Sequence, residues 1–131
     1  AQLEASDWGA VVTRRAVKKP PNEGGWNIFI TWGSGEGFDN PVSFLAHTAN
    51  GDKGWFGWPK NEAHEKMKDE WAAAAALDER KAIARRMQDN AWNFVPMAVL
   101  GQWAPPVGYR SNLSGFVPIP AHVPFWNVKK A

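Results

Sequence analysis

Polar and apolar positions alternate from Gln2 to Ala5, which predicts a short strand, and the period then changes. Ser6 or Asp7 can cap a helix in which Trp8, Val11 and Val12 recur at helical spacing. A strand feeding a helix is an α/β opening. Lys18 to Gly25 carries paired lysines, paired prolines and paired glycines and reads as a loop, since neither Pro nor Gly continues a helix. Trp26 to Trp32 is the strongest predicted strand, because Ile28, Phe29, Ile30 and Thr31 are β-branched or aromatic. It breaks into Gly33-Ser34-Gly35-Glu36-Gly37. Asn40 can then act as N-cap, with Pro41 in the first position of a short helix ending near His47.

Ala49 to Pro59 is turn-rich, and its Trp55, Phe56 and Trp58 are expected to cover a core edge or line a groove. Asn61 to Leu77 predicts a helix of high propensity. Asp78 is the expected cap of a second helix whose inner stripe is Ile83, Met87, Ala91 and Phe94, stopped by Pro96. Met97 to Trp103 predicts another strand, broken by Ala104 to Gly108, and from Tyr109 the chain has no regular period. No internal repeat is present. The first residue is not Met, and Ala1 to Ser6 reads as a strand already under way, so a piece of a longer chain is expected.

Composition narrows this picture. A length of 131 residues fits one domain able to bury its own core. With 44% hydrophobic and 21% charged residues, the chain falls in neither the disordered nor the membrane class. Nine Trp are unusual, and they imply a dense core or an aromatic-lined surface. The net charge is +2 with acids and bases interspersed, which is a solvated surface and not a nucleic-acid footprint. The absence of Cys excludes disulfides, thiol nucleophiles and Cys-based zinc sites. No apolar run is long enough for a spanning helix, and no signal peptide heads the chain.

The motifs that suggest catalysis fail in detail. Gly33-Ser-Gly-Glu-Gly37 follows a strand signal, but Phe38 stands where the dinucleotide fingerprint needs its third Gly, and the P-loop Gly-Lys-Ser/Thr is missing. His64-Glu65 opens like a zinc-protease helix, yet Lys68 occupies the second His position, and a lone helical His is more often a surface or core-edge residue. Ser34 lacks the first Gly of a nucleophile elbow, because Trp32 holds that place. Stacking of single-stranded nucleic acid on the indoles would need a cationic groove, which the scattered basic pairs do not supply.

The order of Ser6 to Arg15, Pro20 to Phe29, the Trp32 loop to Asn40-Pro41, Trp55 to Pro59, Val95 to Trp103, Tyr109 to Gly115 and Phe125 to Lys130 resembles the C-terminal part of family 5 extracellular solute-binding proteins. These are the dipeptide-, oligopeptide- and nickel-binding subunits of ABC importers. The resemblance implies an α/β fold, with a mixed β-sheet flanked by helices as the second lobe of a type II periplasmic-binding fold. Residues 1–108 would form that lobe, and 109–131 a tail crossing back to the missing N-terminal lobe. It implies binding without catalysis, no cofactor and no metal. The location would be the periplasm of a Gram-negative bacterium, and the partners a small solute, peptide or similar, and ABC permease subunits. In peptide-binding members a carboxylate three residues after the strand-ending Trp holds the ligand's α-amine. Gly35 stands there in this chain, and Glu36 is the nearest acid.

The expected ligand-binding residues are therefore Trp32, Ser34, Gly35, Glu36, Gln102 and Trp103. The last two are placed by the rule that ligands gather at strand ends in α/β sheets. Trp32 reads as cleft wall or core, with core favoured because large aromatics are mostly buried for packing, and Glu36 equally as a cation contact or an exposed loop acid. Asp39 reads as structural. Separated from its partner lobe, such a chain would expose apolar surface and form a homodimer. The alternative is an independent module that stacks carbohydrate or protein on Trp55, Phe56 and Trp58.

Overall fold

The computed structural model describes residues 2–117, 119 and 123–131. Three α-helices carry most of the regular structure: α1 (Trp8–Arg14), α2 (Glu62–Ala73) and α3 (Leu77–Phe94). Short 3₁₀ turns lie at Pro21–Glu23, Gly35–Phe38, Leu45–His47 and Gly51–Lys53. Two short strands, β1 (Leu113–Ser114) and β2 (Lys129–Lys130), pair antiparallel, with Leu113 opposite Lys130 and Ser114 opposite Lys129. The expected mixture of helix and sheet is thus present, with helix dominant.

Each helix begins for a chemical reason. Of the two candidate caps of α1, Asp7 does the work: its carboxylate accepts from the Ala10 amide at 3.1 Å. Asn61 caps α2 by accepting from the His64 amide at 2.9 Å, and its own amide group donates to Asn90 on α3 at 3.0 Å. That bond fixes one helix against the other. α3 starts one residue before Asp78, from Ala76, with no side-chain cap; Asp78 and Glu79 instead sit in the first turn, where negative charge suits the helix dipole. α2 stops at Ala73, short of Leu77, and the Ala74 carbonyl accepts from Arg80 Nε at 2.8 Å.

Between α2 and α3 lies the apolar core. Met67, Ala74, Ile83 and Met87 are buried together, with Trp71 packed at their edge. Ile83 and Met87 come from the predicted inner stripe, while Ala91 and Phe94 are only half-buried.

The three predicted strands do not form. Residues 2–5, 26–32 and 97–103 have no strand partner in the described chain, and Leu3, Ile28 and Leu100 are 88%, 86% and 78% exposed. The physical reason is that a strand exists only through a neighbour's N–H and C=O groups, and none is offered here. The helix expected after Pro41 is a turn: Asn40 Oδ1 accepts from the amides of Val42 and Ser43 at 3.1 and 2.9 Å, and the 3₁₀ turn Leu45–His47 follows.

The last segment closes on itself. Tyr109 and Phe116 stack at 4.1 Å, Asn127 Nδ2 donates to the Gly115 carbonyl at 3.0 Å, and the Ala131 amide donates to Asn112 O at 2.9 Å.

Candidate functional site

The glycine-rich loop is built around one 3₁₀ turn. Ser34 precedes it, the Gly37 amide donates to Ser34 O at 3.0 Å, and the Asp39 amide donates to Glu36 O at 3.2 Å. The Asp39 backbone amide therefore ends the turn. A side chain at Gly33 would press on the Phe38 ring at 3.1 Å, so that glycine lets Phe38 fold back beneath the loop. Gly35 and Gly37 face open space, where a side chain would meet no heavy atom within 4 Å of its Cβ. Backbone there can be approached closely.

Trp32 is 67% exposed, so of its two readings the core one does not describe this structure. Glu36 is exposed and has no ion-pair partner among the described residues. Gln102 and Trp103 are exposed as well and follow Gly101, whose φ of 158° is one that residues with a side chain rarely adopt. No hydrogen bond, ion pair or ring contact joins Trp32, Ser34, Gly35 and Glu36 to Gln102 and Trp103 among the described residues. A shallow cleft of about 330 Å³ lies elsewhere, lined by Ala49, Asn50, Lys60, Glu65 and Asp69 among others. Charged side chains of both signs border it, and it is open to solvent.

The aromatics of the 55–58 loop pack inward. Trp26 meets Phe29 edge-on at 4.7 Å and Trp58 at 6.3 Å, and Phe29 lies 5.6 Å from Trp55. Arg15 drives its guanidinium into this group, 4.4 Å from the Phe56 ring and within 5.7 Å of Trp8 and Trp55. Lys18 lies 4.7 Å from the Trp58 ring and pairs with Asp52 at 2.6 Å. That ion pair holds the Asp52 carboxyl below its usual range, first through the hydrogen bond and then through the lysine charge. Half-buried rings that already face cations form a second, small core rather than a flat stacking strip. The sequence showed the aromatics but not Arg15, whose only signal was a basic pair at the end of a helix.

His64, which the sequence places at a surface or core edge, lies deeper than that. It is fully buried, with 0% exposure, and neither ring nitrogen has a hydrogen-bond partner. The rings of His47 and Phe94 stand 5.8 and 5.3 Å away. Burial pushes the His64 pKa down, against a smaller upward pull from Glu65, and burial followed by His64 lowers that of His47. Among the described residues no three His, Cys, Asp or Glu side chains gather as a metal site.

No family model matches the chain. Along its whole length it is similar to the "Probable peptide ABC transporter periplasmic-binding protein y4tO" of Sinorhizobium fredii (strain NBRC 101917 / NGR234), at 43% identity over 132 residues. The chain spans 24% of that relative's length, and the matching part is C-terminal.

Proposed function

We propose, from its similarity along its whole length to the C-terminal part of a probable peptide ABC transporter periplasmic-binding protein, that this chain forms part of a periplasmic receptor that captures a peptide-like solute and hands it to a permease. Residues 1–108 are the second lobe of a type II binding fold and 109–131 the tail that crosses to the first. The similarity along the full length of the chain, at 43% identity, carries this reading. In it, 26–32 and 97–103 become strands when the rest of the protein supplies their neighbours. The Trp32 loop and Gln102-Trp103 then stand at adjoining strand ends, the usual place for a ligand in an α/β sheet.

The work is binding and hinge closure, with no bond made or broken. Contacts from this lobe add to those of the first and shift the open–closed equilibrium. Trp32 supplies an apolar wall, Ser34 and Gly35 a hydroxyl and accessible backbone, and Glu36 the negative charge for a cationic group. A carboxylate shut away from water with an ammonium makes a strong, charge-assisted hydrogen bond.

Titration calorimetry tests this on the full-length binding protein that contains these residues, with di- and tripeptides as probes. Peptide binding is expected, and Glu36→Gln should weaken it roughly 10- to 100-fold, as loss of a charged hydrogen bond of ~1.5–3 kcal/mol implies. Unchanged affinity in the variant would remove Glu36 from the site. Failure of the parent protein to bind any peptide would overturn the solute class.

A further inference from the structure

The rings of Phe38, Phe44, His47, His64 and Phe94 form an unbroken ladder. Phe38 stacks on Phe44 at 4.2 Å, Phe44 meets His47 at 4.9 Å, His47 meets His64 at 5.8 Å and His64 meets Phe94 at 5.3 Å. It starts under the glycine-rich loop, passes through the 3₁₀ turn Leu45–His47, enters α2 at His64 and ends on α3. We infer that His64, acting through the His47 ring, forms an acid-sensitive latch, whose protonation releases the 44–47 segment from α2 and α3 and thereby loosens the Gly33–Asp39 loop.

The rung at His64 is the sensitive one. A neutral imidazole can sit among rings, but an imidazolium has two N–H donors and a full charge, and His64 offers no acceptor to either nitrogen. Of the charged and titratable groups around it, Glu65 alone favours a positive ring, and its pull is smaller than the opposing effect of burial. From the 45–47 turn comes His47, whose own protonation would oppose that of His64. α2 itself contributes Glu65 and Lys68, which pair with each other at 3.4 Å. Glu65 is further engaged, accepting from the Ala49 amide at 2.6 Å, and α3 brings the uncharged ring of Phe94. The lowered pKa of both histidines agrees with this.

Because the folded form disfavours the proton, the latch holds fully above the ordinary histidine value of 6.5. It weakens as pH falls from there through the lowered folded-state pKa.

What is released is defined by its other ties. The Ala49 amide bonds to Glu65, the Asn61 amide donates to Ala49 O at 2.9 Å, and the Gly51 amide donates to Pro59 O at 2.8 Å. These bonds lie on the far side of His47 from the loop, so the first motion belongs to Phe44 and Phe38. If the loop binds solute, as proposed above, affinity falls on acidification; the latch itself does not depend on that reading.

NMR titration of the full-length binding protein that contains these residues, with no solute added, tests it. The His64 imidazole should titrate below the ordinary histidine range, and the amide resonances of Gly33–Phe38 should move with the same midpoint. In His64→Phe, which keeps a ring in the ladder, that shared shift should vanish. His47→Phe should leave it in place with the His64 midpoint moved upward. An ordinary midpoint for His64 in the parent chain, or loop shifts that persist in His64→Phe, would overturn the latch. Neither readout involves solute, so a failed latch and a failed binding assignment are separately visible.

Discussion

Arg15 shows how one side chain can organise residues far apart in sequence. It caps α1, its backbone carbonyl accepts from the Trp26 indole at 3.0 Å, and its guanidinium faces rings from both 8 and 55–56. Its Nε is buried with no acceptor, so the rings' negative faces are what the charge meets there. Neighbouring Arg14 differs, because its Nε and Nη2 donate to the Gly25 carbonyl at 3.1 and 2.9 Å and it also pairs with Glu4. Arg15→Met keeps the apolar stem and removes the charge. It should lower stability by roughly 1–2 kcal/mol, the range of a partly desolvated cation–π contact, read as a lower urea midpoint with unchanged slope. A variant as stable as the parent would show that the rings pack on the stem alone.

Helix α3 ends under strain. Val95 has φ 44° and ψ 66°, a left-handed conformation that costs a β-branched residue roughly 1–2 kcal/mol. Pro96 leaves no route to continue the helix. Val95→Gly is therefore expected to raise the thermal midpoint, since Gly holds that conformation without a Cβ clash. The gain is held to about 1 kcal/mol by the freedom Gly adds to the unfolded chain. Differential scanning calorimetry would register the shift, and a lowered midpoint would mean that the Val95 side chain contributes more than its backbone costs. Elements of this kind mark what could be read in advance. The helices were legible because their caps and apolar spacing are local: Asp7, Asn61, Ile83 and Met87 act within a few residues of themselves. The stop at Pro96 was legible for the same reason, whereas the left-handed Val95 was not. Strands 26–32 and 97–103 were read from composition alone, and composition cannot supply the neighbouring chain that a ladder requires. The tail had no period to read, yet it holds the paired strands of the described chain, because Gly115 (φ 81°) lets the backbone come close to Asn127. The loop of the candidate site was legible as a glycine cluster, while the ring ladder beneath it joins residues from 38 to 94 and has no sequence signature.

At the scale of the molecule, surface area decides. The chain exposes 10305 Å² for 14.5 kDa. A compact monomer of that mass exposes about 6,900 Å² by the usual scaling. The excess, about 3,400 Å², is roughly four times the ~800 Å² that each partner contributes to a standard protein–protein interface. Its chemistry is apolar in part: Trp32, Trp92, Trp103, Phe125 and Trp126 are each at least 65% exposed. Unpaired backbone at 26–32 and 97–103 adds edges that another chain can extend. We propose that this surface is covered by the remainder of the binding protein, and that without it the 131-residue chain associates with itself. Sedimentation velocity should then show mass rising with concentration into dimers and beyond. Adding the separately produced remainder of the binding protein should replace that series with one discrete complex. Apolar burial predicts in addition that association strengthens, or at least persists, at high salt, because screening weakens only charge–charge contacts. A monomer at high concentration would mean that the chain folds its excess surface inward in solution. Self-association that dissolves in salt would assign it to the mixed charges of α2 and α3, and the apolar faces of the two unpaired segments would then need no partner.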